Sequence, residues 1–195
     1  MDARVSLQHG DVLIVVHVQN DFVEGGTLAV PGGKEVVVPV NRYIQAFQSK
    51  QLSIIATRDW HPYNHCSFRD QGGSWPPHCV QGSPGAQFVA ELLLPPDVTI
   101  VSSATQAHKE AYSGFEFTEL QRHLQGLGAK RLFIGGLATD YCVLATVRDG
   151  LALHYEVFLL ADAVRAVNVH PDDGAKAQAE MERLGAVPIR VSDIV

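Results

Sequence analysis

Residues 12–18 read Val-Leu-Ile-Val-Val-His-Val, an apolar and largely β-branched run that only His17 interrupts. Such a run predicts a strand covered on both faces, as strands of a parallel sheet are. Similar runs recur along the chain and give further strand candidates. These are Leu52–Ala56, Val98–Val101, Arg131–Ile134, Val157–Leu160 and Val187–Val191.

Helical patterns lie between these strands. They cover Glu35–Gln48, Ala86–Leu93, Phe115–Leu127, Asp140–Leu153 and Asp172–Leu184. Strand and helix alternate about six times, which predicts an α/β fold of parallel βαβ units with helices on both faces of one sheet. No repeat, low-complexity tract or break in composition divides the chain, so we expect a single domain over residues 1–195.

The composition narrows the class of partner. The chain is 46% hydrophobic and carries a formal net charge of −6 without a long run of Lys or Arg. We therefore expect no nucleic acid and no membrane as a partner, and no stretch approaches the roughly 18 apolar residues of a bilayer span. The start, MDARVSLQHGD, lacks signal-peptide features, which predicts a cytoplasmic protein. The chain has an odd number of cysteines, Cys66, Cys79 and Cys142. In the reducing cytoplasm we therefore expect no disulfide framework.

Two long segments break the alternation and are candidates for function. Residues 20–34 and 58–85 are rich in Gly and Pro, and the second also in His and aromatic residues. Long loops in a compact domain usually carry function. Both follow strands, and ligands of parallel α/β sheets bind beyond the carboxyl ends of the strands. We therefore expect the functional residues to lie at that end of the sheet.

The second loop carries a candidate metal site. Asp59 and His61 follow a strand directly, His65 comes four residues later, and His78 lies further along the loop. One carboxylate and two or three imidazoles suit a divalent ion such as zinc, iron or manganese. The same residues also fit a polar loop whose histidines only form hydrogen bonds, and the spacing leaves both interpretations open.

A second candidate is Cys142, in the segment Gly135–Cys142 (GGLATDYC). A strand ends here, the chain turns, and a helix begins with Cys142 in its first turn, like the strand–turn–helix elbow of other nucleophiles. Free N–H groups and the helix dipole at such a place favour a thiolate and can hold an oxyanion. Taken alone, this stretch fits an inert cysteine at the start of a buried helix better than it fits a nucleophile.

Five long motifs occur in an order that resembles the isochorismatase-like cysteine hydrolases, and among them the nicotinamidases. They are LIVVHVQNDF with GGTLAVPGG, ATRDWHPYNHCSF, GGSWPPHCVQGSPGAQF, HKEAYSGFE, and GGLATDYCVLATVRDGL with VFLLADAV. The resemblance covers nearly the whole chain. It implies a six-stranded, mostly parallel sheet with helices on both faces. The first strand would lie near the sheet's centre, beside the strand that ends at Gly135.

The resemblance also assigns roles to residues. It implies that Cys142 is the nucleophile and that one divalent metal (Zn, Fe or Mn) is the cofactor, with His65 as a further ligand or a partner of a metal-bound water. The oxyanion hole would be built around a cis peptide at Leu137–Ala138 and the backbone of Cys142. The implied metal ligands are Asp59, His61 and His78, and the implied ring-binding aromatics are Phe22, Trp75 and Tyr112.

Two positions depart from the family's pattern. Family members carry an Asp, which takes the proton of the cysteine, where this chain has His17. They carry a Lys beside the thiolate where this chain has Ser103, and Lys109 matches a different lysine of the family. Two of the three catalytic side chains therefore differ, and both changes together exchange a charged pair for two neutral groups.

Three hypotheses follow from these departures. The first is an amide hydrolase for a small (hetero)aromatic carboxamide, in which Cys142 pairs with His17 as its base and Ser103 forms a supporting hydrogen bond. The second is a metal-centred enzyme using Asp59, His61 and His78, by metal-assisted hydrolysis or as a non-heme Fe(II) oxygenase. The third is an inactive relative that binds the aromatic ligand. A homo-oligomer is compatible with each of them.

Overall fold

Six strands form one sheet in the computed structural model, which describes residues 4–195. Strands β1 to β6 are Asp11–Val16, Ser53–Asp59, Thr99–Ser103, Arg131–Leu137, Glu156–Arg165 and Val187–Ile189. Their order across the sheet is β3-β2-β1-β4-β5-β6, and each of these pairings is parallel. The expected six-stranded sheet with a central first strand is confirmed, and it is parallel throughout instead of mostly so.

Four helices cover the two faces of the sheet. Helices α1 to α4 are Val37–Ser49, Leu120–Gly126, Leu144–Ala152 and Asp173–Leu184. The side chains of β1 alternate between the faces, so that Leu13 packs with α1 and Ile14 packs with the other three helices. Both are fully buried, which explains why β1 reads as an unbroken apolar run. No helix within residues 4–195 is long and apolar enough to cross a membrane.

The predicted helix Ala86–Leu93 is wrong. The backbone there pairs with the chain that follows β1: the Val89 N–H donates to the Val18 carbonyl at 3.0 Å, and Phe88 bridges Gln19. Val89 and Leu92 are nevertheless buried in the core. Their apolar spacing therefore reflects packing of an irregular segment, and not the face of a helix.

Two other predicted helices begin later than expected. Phe115–Leu127 shortens to α2 because Phe117 adopts a positive φ of 55° and the Thr118 hydroxyl donates to the Gly114 carbonyl at 2.5 Å. These local turns compete with helical hydrogen bonds. Asp140–Leu153 begins as a π-helical turn over Thr139–Val143, and regular α-helix starts only at Leu144.

Gly136 allows β4 to lie closely against β1. Its φ is +126°, and a Cβ atom there would overlap the carbonyl oxygen of Val16. The substitution Gly136→Ala should therefore lower the free energy of unfolding by about 3 kcal/mol or more, because both the backbone conformation and the space are lost. Urea denaturation followed by circular dichroism measures this.

Gly126→Ala is the matched control, since a Cβ at Gly126 meets open space. It should be neutral or slightly stabilising, because it removes flexibility from the unfolded chain. Equal stabilities of the two variants would contradict the assigned role of Gly136.

Candidate active site

The carboxyl ends of three neighbouring strands bring the candidate residues together. β1 is followed by His17, β2 ends at Asp59, and β4 leads into the turn with Cys142. Gln19 fixes the first two ends to each other: its side-chain amide donates to the Asp59 carbonyl at 2.8 Å, and its carbonyl oxygen accepts from the Asp59 N–H at 2.8 Å. These two hydrogen bonds hold the backbone of Asp59 in place, and so fix where its carboxylate begins.

Asp59, His61 and His78 offer ligand atoms that all lie within 4.8 Å of one another. Nδ1 of His61 donates to the His78 carbonyl at 3.0 Å, and Nδ1 of His78 donates to the Pro76 carbonyl at 2.8 Å. Each bond fixes the tautomer and leaves Nε2 free as a donor to an ion, which is the usual support of metal-bound histidines. The residues present therefore fit a divalent metal.

The protonation states of this group also suit a cation. Burial lowers the pKa of His61 to about 4, so its imidazole is neutral at neutral pH. Burial acts to raise the pKa of Asp59, but the neighbouring His17, His61 and His78 and the hydrogen bond from Ser103 outweigh it and lower that pKa. Neutral imidazoles with an ionised carboxylate are the forms that bind metal.

His65 lies beside this group, but both of its ring nitrogens form hydrogen bonds to residues outside the group. Its Nε2 donates to the Lys109 carbonyl at 2.9 Å, and its Nδ1 is 2.7 Å from the Ser67 hydroxyl. The ring packs on His61, with centroids 4.4 Å apart. An ion could recruit His65 only if these hydrogen bonds broke, although His61, His65 and Glu110 also lie within 4.8 Å of one another.

Cys142 lies in the π-helical turn, with 6% of its surface exposed. Burial and the carboxylates of Asp59 and Glu110 raise the pKa of its thiol well above the usual value, and a backbone hydrogen bond from Ala138 acts in the opposite direction. The Leu137–Ala138 peptide bond beside it is cis. The thiol therefore needs a base or a nearby cation before it can act as a nucleophile.

His17 is completely buried, and its ring stacks beside Phe22. One ring nitrogen of His17, one Asp59 oxygen and the Cys142 sulfur lie within 4.8 Å of one another. Burial lowers the pKa of His17, with Asp59 opposing that shift and His78 adding to it, so the neutral form of the ring is favoured. The backbone of His17 has a positive φ of 45°, a conformation that is uncommon for residues other than glycine.

Ser103 is buried behind Asp59 and does not line the pocket in front of Cys142. Its hydroxyl is 3.1 Å from Asp59 Oδ1, 3.2 Å from the Arg58 carbonyl and 3.5 Å from His17 Nε2. The Lys109 ammonium does not replace the missing cation, because it lies over the exposed ring of Phe117.

An aromatic pocket opens in front of Cys142. Phe22, Trp75 and Tyr112 line it, and the Trp75 indole N–H donates to the Tyr112 hydroxyl at 2.9 Å. Ala138 contributes to the wall, whereas Leu137 is buried in the sheet. Such a pocket suits a planar ligand with a single aromatic ring.

Sequence reasoning missed three residues that shape this pocket. Tyr141 closes it against Trp75, with ring centroids 5.2 Å apart, and its position next to Cys142 was a usable signal. Glu110 places a carboxylate in the wall, and burial raises its pKa. Asp21 ties the two long loops together by accepting from the backbone N–H of Cys79 at 2.7 Å.

Comparison with known proteins identifies the family of the chain. The sequence matches the Isochorismatase domain over residues 11–193. The nicotinamidase of Escherichia coli is 38% identical over 202 residues, which cover 93% of this chain and 95% of that protein. The chain belongs to the isochorismatase family, and within it the chain is an amide hydrolase of the nicotinamidase and pyrazinamidase type.

Two solved structures resemble the fold closely. A pyrazinamidase of Pyrococcus horikoshii in complex with zinc is 50% identical, with a TM-score of 0.89 and coverage of 93% of this chain and 99% of that one. A protein of L. infantum in complex with nicotinate is 36% identical, with a TM-score of 0.89 and coverage of 98% of both chains.

The geometry predicts that one metal ion depends on His61 and His78. Replacing both with Ala removes two of its three protein ligands, so a bound equivalent of Mn²⁺ should be lost. Mn²⁺ is the probe because thiolates are poor ligands for it. Electron paramagnetic resonance of free Mn²⁺ measures the binding. The exposed His108, replaced by Ala, is the control and should keep the ion. Retention of a full equivalent by the double variant would show that the ligands are different.

Proposed function

We propose that this protein hydrolyses the carboxamide of a small nitrogen-containing aromatic ring, such as nicotinamide or pyrazinamide, with Cys142 as nucleophile and His17 as its base. The proposal rests on one observation above all: a ring nitrogen of His17 and the sulfur of Cys142 lie within 4.8 Å of each other, beside an aromatic pocket. A neutral imidazole beside a thiol is an established means of generating a thiolate.

In the proposed reaction His17 accepts the Cys142 proton while the sulfur attacks the amide carbon. The carbonyl electrons move onto oxygen, which the N–H groups of Ala138 and Cys142 stabilise. As the C–N bond breaks, His17 returns its proton to the nitrogen, and ammonia leaves a thioester behind. Water then gives a proton to His17 and attacks the thioester. The C–S bond breaks, and the sulfur takes the proton back as the carboxylic acid departs.

A divalent metal on Asp59, His61 and His78 would supply a Lewis acid for the ring nitrogen or the amide oxygen. The chain's own side chains orient the ring. Phe22 and Trp75 offer aromatic surface, and Glu110 offers an acceptor for the amide N–H groups. The relatives that bind zinc and nicotinate support this choice of cofactor and substrate class.

Two variants separate the roles of Cys142 and His17. Cys142→Ala should abolish hydrolysis of nicotinamide and pyrazinamide. His17→Ala should lower kcat by about 10²–10⁴-fold with little change in KM, because His17 acts on the thiol and does not line the pocket. Steady-state release of ammonia measures both constants.

The exposed His9, replaced by Ala, is the matched control and should keep full activity. Unchanged turnover in His17→Ala would refute its role as base. Persisting hydrolysis in Cys142→Ala would favour attack by a metal-activated water, and binding of the amide without turnover in the unmodified chain would favour the inactive relative.

A second set of variants tests whether His17 and Ser103 act as a unit. His17→Asp alone should not raise activity, because a further carboxylate beside Cys142 raises the pKa of the thiol. His17→Asp combined with Ser103→Lys restores a charged pair and should raise kcat/KM for nicotinamide by several powers of ten. A kinetic cycle over both single variants and the double variant measures the coupling. A double variant no faster than the unmodified chain would contradict the idea of a coupled exchange.

A further inference from the structure

His17 Nδ1 is a completely buried nitrogen without a hydrogen-bond partner. Asp59 Oδ1 lies 3.6 Å from it, which is longer than the 2.7–3.2 Å of a protein N–H···O bond. A buried polar atom without a hydrogen-bond partner is costly, and coordination of a metal ion would satisfy it.

The same distance suits two ligands of one metal ion. Zinc binds imidazole nitrogen and carboxylate oxygen at about 2.0–2.2 Å, so two such atoms on a tetrahedral ion lie about 3.4 Å apart. The Cys142 sulfur completes the group, since all three ligand atoms lie within 4.8 Å of one another. The His17–Asp59 separation is thus longer than a hydrogen bond and close to the spacing of two ligands in one coordination shell.

We propose that His17, Asp59 and Cys142 form a second metal site, specific for thiophilic divalent cations such as Zn²⁺. A nitrogen, an oxygen and a sulfur ligand suit a borderline-soft ion, whereas Mg²⁺ and Mn²⁺ prefer oxygen. All three residues are buried, and Asp59 and Cys142 also line the aromatic pocket, through which an ion could enter.

Asp59 is common to both metal sites. Its Oδ1 faces His17 and Ser103, which leaves the second carboxylate oxygen for the ion between His61 and His78. Two metal ions about 3.5–4 Å apart are a known arrangement in enzymes. The Ser103 hydroxyl, 3.1 Å from Oδ1, holds the carboxylate in this orientation.

Occupation of the second site would block the nucleophile. As the metal–sulfur bond forms, the thiol proton passes to solvent and the sulfur lone pair is taken up by the ion. This regulatory consequence rests on the proposed function of Cys142, whereas the binding site itself rests on the three side chains. A low concentration of zinc would then fill only the Asp59, His61 and His78 site. Excess zinc would also fill the second site and inhibit hydrolysis of the amide.

Cobalt titration of the metal-free full chain tests the site without an activity assay. The unmodified chain should bind two equivalents of Co²⁺ and show a near-ultraviolet charge-transfer band from thiolate to cobalt. His61→Ala with His78→Ala should lose one equivalent and keep the band, because only the first site is destroyed. His17→Ala should lose the other equivalent together with the band. Circular dichroism verifies that each variant is folded.

Cys66→Ser is the matched control, since Cys66 is the partly exposed cysteine and lies outside the proposed site. It should keep the band, whereas Cys142→Ser should lose it. In parallel, excess Zn²⁺ should slow alkylation of Cys142 by iodoacetamide at least about tenfold, and Mn²⁺ should not. A single cobalt equivalent without the band, or a band unchanged in His17→Ala, would overturn the proposed site.

Failure of this inference can be told apart from failure of the proposed function. Hydrolysis of nicotinamide that excess Zn²⁺ leaves unchanged, together with absence of the cobalt band, would overturn the second site and retain the hydrolase. A cobalt band in a chain that hydrolyses no aromatic amide under any metal condition would retain the site and refute the proposed reaction.

Discussion

β1 pairs with β2 on one side and with β4 on the other, and this double pairing sets the geometry of the site. Val16 is in register with Thr57 and with Gly136, so the chain segments that follow these residues leave the sheet side by side. A shift of one residue in either pairing would turn the side chains of that strand to the opposite face. The close contact between Gly136 and Val16 disfavours such a shift, because a residue with a Cβ atom in place of Gly136 would overlap the Val16 carbonyl oxygen.

Asp59 is the electrostatic centre of the arrangement. It lies between the two histidines that can hold an ion and the His17–Cys142 pair. Its negative charge raises the pKa of the thiol and supports a cation at the same time. In the proposed mechanism a metal ion would offset this charge, so the ion and His17 would both favour formation of the thiolate.

Much of the fold follows from the sequence, because buried parallel strands have a strong signature. The run from Val12 to Val18 predicted β1 to within two residues, and the structure ends the strand at Val16 because His17 turns to a positive φ. The segment 86–93 was misjudged since its apolar residues bury without a helix. Periodicity alone does not report where the backbone finds its hydrogen bonds.

The site was less accessible to sequence reasoning. Motif order pointed to the region of Cys142 and Asp59, but the side-chain contacts of Ser103 and the hydrogen bonds of His65 depend on packing between distant segments. Glu110 and Asp21 gave no local signal, because their roles arise from loops that meet only in the folded chain. The spacing of residues along the sequence does not show which distant loops come into contact in the folded chain.

The central claim is that Cys142 attacks the carbonyl carbon of a ring-bound substrate in the aromatic pocket. Carbon-13 nuclear magnetic resonance of carbonyl-labelled nicotinaldehyde bound to the protein tests this directly, because attack by sulfur converts the trigonal aldehyde carbon into a tetrahedral thiohemiacetal. We expect the thiohemiacetal signal in the unmodified chain and its absence in Cys142→Ala. An aldehyde that binds the unmodified chain and keeps its trigonal or hydrated signal would contradict it.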